Sequence, residues 1–209
     1  MPDKNEDLHG NAPDSSPVAL VIVDIINDLE FEGGEELRDQ AVAAAERIAD
    51  LKRQAKALRI PVIYANDNFG RWRSDFREVV EHVLSDGVRG RPLAELLRPE
   101  PDDYFVLKPK HSAFYATTLD TLLDYLGPSR LVLTGVTGDI CVLFTASDAY
   151  MRDFHIHVPA DCVASISPDH TRQALDYMER VLHVDTTPST ELDLAALRRE
   201  SRRRAKVER

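Results

Sequence analysis

Cysteine is scarce in this chain of 209 residues, which holds only Cys141 and Cys162. Two thiols make no disulfide framework, so a reducing, cytoplasmic setting is the expectation. Long hydrophobic runs are missing too: nothing approaches the roughly 20 apolar residues that span a bilayer. The opening Met-Pro-Asp-Lys-Asn-Glu-Asp lacks the basic-then-apolar form of a signal peptide. No internal repeat and no Walker sequence is found. Gly135-x-x-Gly138 lacks one glycine of a dinucleotide fingerprint and follows the fourth strand, not the first. These absences argue against a membrane-spanning protein, a disulfide-stapled module and the familiar nucleotide-binding loops.

Positive charge is short as well, with 26 Lys and Arg against 36 Asp and Glu, a net charge of −10. Residues 195–209 hold seven of those cations against Glu200 and Glu208, so everything before them carries roughly −15. Such a body is a poor match for nucleic acid. The basic tail reads as a solvated helix end, with nucleic acid or an acidic partner as the alternative. What is present, 43% apolar and 30% charged residues, suits one domain with a sizeable core. The expected organisation is a disordered segment at 1–16, a single α/β domain at 17–190 and a basic helical tail at 191–209.

Val18 to Val23 is a continuous apolar run, the pattern of a strand buried on both faces. Ala44, Ile48, Leu51, Ala55 and Leu58 recur at helical spacing. Pro61–Tyr64 reads as a second strand, with helices near Phe76–Leu84 and Leu93–Leu97, and Tyr104–Leu107 as a third strand. Leu119, Leu122, Leu123 and Leu126 line a helix that Thr117 or Thr118 caps and Gly127 ends. Arg130–Leu133 is the fourth strand, followed by the Cys141 helix to about Arg152 and a fifth strand near His155–Val158. Ser167 and Pro168 open a last core helix, and His183–Asp185 reads as the sixth strand.

This alternation predicts a three-layer, doubly wound, mostly parallel six-stranded sheet with helices on both faces. In the common order 3-2-1-4-5-6, strands one and four adjoin at the switch point where α/β ligands bind. That order brings Asp24 and Cys141 to one crevice. A thiol at the mouth of a helix meets unpaired N–H groups and the positive end of the macrodipole, both favouring thiolate; the alternative is an inert core cysteine. Lys108 ends strand three, and Pro109 keeps its backbone extended so that the ammonium can leave the strand end; the alternative is a solvent-facing charge. His155, His157 and Cys162 read as structural.

Three segments, Val21-Ile-Val-Asp24-Ile-Ile-Asn27, Lys108-Pro-Lys-His-Ser-Ala-Phe114 and Thr134-Gly-Val-Thr-Gly-Asp-Ile-Cys141, together resemble the isochorismatase-like cysteine hydrolases, over about Val18 to Pro188. The resemblance implies that fold and a catalytic triad of Asp24, Lys108 and Cys141. Lys110 is the rival lysine, but the spacing Lys-x-x-x-Ser-Ala-Phe matches at Lys108. The resemblance also implies a cis peptide at Val136–Thr137, aiming the Thr137 N–H into an oxyanion hole with the Cys141 N–H; an ordinary trans loop is the alternative. In the implied mechanism Asp24 takes the Cys141 proton and the thiolate attacks an amide or carbamoyl carbonyl. Asp24 then acts again as base when water hydrolyses the thioester. Dimers or tetramers are common in the family, so a homo-oligomer is expected.

The true isochorismatases split a vinyl ether without a cysteine nucleophile, and Cys141 therefore favours C–N bond hydrolysis. Nicotinamidases of the family carry metal-binding histidines after strand two. Residues 66–73 have none here, so neither a metal nor another cofactor is expected. In that stretch Phe69 and Trp72 can wall a small-molecule substrate, and Arg71 or Arg73 can pair with its carboxylate; a plain surface loop is the alternative. Phe114 completes the substrate-binding candidates. The leading expectation is a cysteine amidohydrolase. The alternatives are a vinyl-ether hydrolase or a catalytically silent binding protein on the same fold.

Overall fold

The computed structural model describes residues 15–67 and 75–207. Val18–Val23 form β1, in which every residue is buried. Its side chains alternate between two cores. Val18, Leu20 and Ile22 belong to one, while Ala19, Val21 and Val23 belong to the other. A strand covered on both faces has no polar side, which is why this run contains no polar residue.

The first core is closed by α1 (Gly34–Ala57), α2 (Phe76–Ser85), α3 (Arg91–Leu96) and the start of α7 (Leu194–Val207). On α1 the stripe Leu37, Ala41, Ala44, Ala45, Ile48, Leu51 and Ala55 is buried. The opposite core takes α4 (Leu119–Leu126), α5 (Leu143–Tyr150) and α6 (Pro168–Leu182). Between the layers lie β1, β2 (Val62–Asp67), β3 (Tyr104–Lys108), β4 (Arg130–Val136), β5 (His155–His157) and β6 (Val163–Ala164). The sheet order is β3-β2-β1-β4-β5, with β6 pairing β4 and every strand pair parallel. The C-terminal ends of β1, β2, β3 and β4 therefore open on one edge of the sheet. Each fully buried Val, Leu or Ile contributes about 1.5–3 kcal/mol relative to exposure.

Several sequence expectations are corrected here. Helix α1 begins ten residues before Ala44, because Leu37 and Ala41 continue its apolar stripe and Gly33 turns the chain in the left-handed region at φ 86°. The sixth strand is Val163–Ala164, not His183–Asp185. His183 ends α6 at φ 54°, which an extended strand forbids, and Asp185 is left with one bridge to His157. Beyond Val132 the outer edge of β4 has no β5 partner, and Val163–Ala164 takes that place. Ser16 is buried rather than disordered: its N–H donates to the Leu126 carbonyl (3.0 Å), and its hydroxyl accepts from the Val18 N–H (3.3 Å). Residues 1–14 lie outside the described residues. The basic tail is helical over Leu194–Val207, and Leu192, Leu194 and Leu197 pack on the first core.

Candidate active site

Asp24 is the first residue after β1 and turns sharply at φ 50°, anchored by its N–H to the Ala65 carbonyl (3.0 Å). Strand β4 runs beside it to Gly135, whose φ is 114°. A Cβ there would lie 2.0 Å from the Val23 carbonyl oxygen, so glycine alone permits this approach of β4 to β1. The Val136–Thr137 peptide that follows is cis. Gly138–Val142 then make one wide, π-type turn before α5. Cys141 sits in that turn, where the Val142 N–H reaches back to the Thr137 carbonyl at 3.1 Å.

Lys108 ends β3, which is separated from β1 by β2, with Asp67 and Lys108 in register. Only a long side chain crosses that width. The fully buried Lys108 ammonium lies 2.7 Å from Asp24 Oδ2, donates to the Lys110 carbonyl at 3.1 Å and lies 3.6 Å from Cys141 Sγ. Asp24 Oδ1 accepts the Asp67 N–H at 2.7 Å. Asp67 Oδ2 stands 3.9 Å from the same ammonium. Lys110 is exposed and offers the site only its carbonyl. Carboxylate, ammonium and thiol are thus brought together from three strand ends, while the rival lysine is not.

The electrostatics differ from the sequence expectation in one respect. Burial, and then the adjacent Asp24 charge, push the Cys141 thiol up to about 12, against the pull of Lys108. The helix end does not make a resting thiolate, because loss of water and a neighbouring anion outweigh it. Burial also raises the Asp24 carboxyl above the usual carboxylate range, although Lys108 opposes the shift. Burial works against the Lys108 charge, yet Asp24, Cys141 and Asp67 together hold its pKa above the ordinary lysine value. The Asp24 carboxyl and Lys108 ammonium thus lie paired beside a thiol that burial biases toward its protonated form.

A cavity of about 310 Å³ opens over these groups. Its walls include Asp24, Asp67, Asn27, Thr137, His111 and Cys141, with Phe31 and Ile140 as partly exposed apolar residues. Phe114 is not among them. Its ring is buried in the second core beneath the Arg152 guanidinium (4.6 Å to the ring centre), because the Ser-Ala-Phe turn points it inward. Phe69, Arg71, Trp72 and Arg73 lie outside the described residues. Sequence reasoning passed over Asp67, His111, Asn27 and Phe31, although each sits just at or beyond a strand end that it had identified. Thr145, fully buried on α5, ties the site together. Its hydroxyl donates to the Cys141 carbonyl at 2.7 Å and accepts the Ala113 N–H at 3.0 Å.

A family model described as the isochorismatase domain matches residues 18–189. An uncharacterized isochorismatase family protein of Bacillus subtilis (strain 168) is 41% identical over 174 residues, covering 83% of this chain and 95% of its own. A probable inactive nicotinamidase of Arabidopsis thaliana is 31% identical over 173 residues, 76% of this chain and 86% of its own. Among solved structures, N-carbamoylsarcosine amidase from Thermoplasma acidophilum superposes with a TM-score of 0.66 at 30% identity, covering 84% of this chain and 98% of that one.

Proposed function

Because the chain belongs to the isochorismatase family, we propose that it hydrolyses the C–N bond of a small amide or carbamoyl compound through a thioester on Cys141. One observation carries the reading: Cys141 Sγ lies 3.6 Å from the Lys108 ammonium, itself 2.7 Å from the Asp24 carboxylate, at the wall of one cavity. The name of the similar N-carbamoylsarcosine amidase supports amide chemistry on a carbamoyl compound.

In this mechanism Asp24 accepts the Cys141 proton, a role suited to a carboxylate that burial makes more basic. Lys108 holds Asp24 in place and stabilises the anionic sulfur as it forms. The thiolate attacks the carbonyl carbon, and the N–H groups of Thr137 and Cys141 stabilise the oxyanion, about 2.7–4 kcal/mol per donor. Protonated Asp24 then hands its proton to the departing nitrogen. Water finally cleaves the thioester and regenerates the thiol.

The test is incubation with a panel of primary amides and N-carbamoyl compounds, following ammonia release and the mass of the protein. Ammonia release that vanishes in Cys141→Ala is the expected result; full activity in that variant refutes the assignment. Binding without turnover is the competing reading, favoured by the inactivity in the name of the Arabidopsis relative. Saturable binding of panel members with no product and no acylated Cys141 would establish it.

A further inference from the structure

Two residues of the cavity wall, Asn27 and Phe31, belong to the short segment that leaves β1 after Asp24. Leu29, between them, is sunk in the first core. Its N–H donates to Asn27 Oδ1 at 2.8 Å, which leaves the Asn27 NH2 as the group this side chain can offer a ligand. From the turn between α2 and α3, the Gly90 N–H donates to the Asp28 carbonyl (2.9 Å) and the Arg89 guanidinium to the Leu29 carbonyl (3.0 Å). The remaining tie is His82 on α2, and of these groups it alone is of a type that titrates near neutral pH.

The His82 ring stands between two carboxylates. Nε2 lies 3.1 Å from Asp28 Oδ2, and Nδ1 lies 2.7 Å from Asp86 Oδ2 at the end of α2. An ionised carboxylate only accepts, so both ring nitrogens must donate, and only the imidazolium carries two N–H groups. A neutral ring turns a lone pair toward one of the two anions and gives up that bond. Asp28 Oδ1 is already taken by the Glu30 N–H at 3.0 Å. Of the other charges on these segments, Glu30 pairs with Arg89 (3.2 Å) and Arg91 with Glu95 (2.7 Å), while Glu78, one turn before His82 on α2, is exposed. The hydrogen bonds to Asp86 and Asp28 raise the His82 pKa against a smaller effect of burial.

We propose that His82 is a positioning residue for substrate binding: its imidazolium fastens residues 26–31 to α2, and with them the Asn27 and Phe31 walls of the cavity. That substrate binds in this cavity rests on the function proposed above; the fastening does not. Since the His82 pKa is raised, the tie is complete below about pH 6.5, the ordinary value of an unfolded chain. It is lost as pH rises through the higher folded value. Gly90 and Arg89 hold on at any such pH, so the segment loosens without detaching.

The experiment follows amide hydrogen exchange of peptides covering 26–31, corrected for intrinsic rates, between about pH 5 and 9, on either side of the histidine range. It compares the unsubstituted full chain with His82→Gln and His82→Lys, and measures p-nitrophenyl acetate kinetics on the same three proteins. In the unsubstituted protein, exchange of the segment should rise roughly 2–5-fold as pH passes the His82 pKa, the scale of one half-exposed ion pair. KM should rise in step while kcat holds. His82→Gln should show the high-pH behaviour throughout. His82→Lys keeps its charge to about pH 10 and offers three donors, so it should show the low-pH behaviour throughout, which a residue that merely fills space would not restore. Exchange that is the same in all three proteins at every pH overturns the proposal, as does a Lys variant as loose as the Gln variant or a change in kcat at constant KM. Absence of acetyl-Cys141 in the quenched unsubstituted protein would overturn the substrate-binding role together with the hydrolase reading, and exchange would then judge the fastening by itself.

Discussion

Replacing Lys108 with Met removes the ammonium while keeping most of the side-chain volume, and its consequence can be worked from the structure. Lys108 is fully buried, and Asp24, 2.7 Å away, is nearly so. Losing one partner of such a pair strands the other charge in a low-dielectric site, which costs about 3–5 kcal/mol. With a typical urea dependence for a domain, that loss moves the unfolding midpoint down by roughly 1–2 M. The deficit also has a direction in pH. Lys108 is the main influence lowering the Asp24 pKa against burial, so in Lys108→Met the carboxyl titrates higher still. An acid whose folded pKa is raised destabilises the fold once the unfolded chain ionises, above about pH 4. The deficit should therefore be largest above the variant's folded Asp24 pKa and shrink as pH falls through that pKa toward 4. Asp24→Asn combined with Lys108→Met should recover part of the loss. The assay is urea unfolding of the two single variants, the double variant and the unsubstituted protein at several pH values. A loss below about 1 kcal/mol, unchanged by pH, is the behaviour of an exposed ion pair and would refute the reasoning.

Three further outcomes follow from the same geometry. Iodoacetamide should modify Cys141 well ahead of Cys162: burial pushes both thiols up to about 12, but only Cys141 lines a cavity while Cys162 is sealed in the core. Equal rates by peptide mapping count against a reactive site. For amide hydrolysis, kcat/KM should fall as pH is lowered, with the acid limb above the usual carboxylate range because Asp24 must be ionised and its pKa is raised; a limb at an ordinary carboxylate value contradicts Asp24 as base. Thr145→Val should cost about 1–3 kcal/mol, since it strips partners from the buried Ala113 N–H and the Cys141 carbonyl. Chemical denaturation measures this, and a neutral substitution would show that the tether is unimportant.

Where one force dominated, the sequence was readable. The apolar run of β1 required cover on both faces, and strand–helix alternation then gave a parallel sheet whose order places Asp24 beside the segment leading to Cys141. Pro109 left Lys108 open to a solvent-facing reading, and it was the resemblance of Lys108-x-x-x-Ser-Ala-Phe114 to the family's spacing that singled it out. Competition between forces hid the rest. His183–Asp185 has strand-like composition, but His183 is needed to end α6 in the left-handed region. Phe114 sits in a motif that touches the site, yet its large apolar ring gains more from the core than from the cavity wall. His111 lay in plain view in the same motif. Nothing short of three-dimensional placement distinguishes a histidine three residues past a strand end from a solvated one.

The state of the thiol shows how such competition bears on chemistry. A helix end contributes at most about 2 kcal/mol to an adjacent charge in a partly buried setting, whereas burial beside a carboxylate outweighs it and leaves Cys141 protonated. Burial and the Asp24 charge therefore work against a preformed thiolate–cation pair at this site. In the proposed mechanism the sulfur is activated when its proton moves to Asp24. That transfer is eased as the thiolate gives up its charge to the substrate carbonyl, because the anion then resides on an oxygen facing backbone N–H groups rather than on a sulfur facing a carboxylate. The arrangement ties reactivity to the presence of a substrate that can accept the charge. On the proposed mechanism, the same Asp24 that disfavours thiolate at rest is the base during attack, and Lys108, 2.7 Å from Asp24 and 3.6 Å from the sulfur, stabilises the negative charge on whichever of the two carries it.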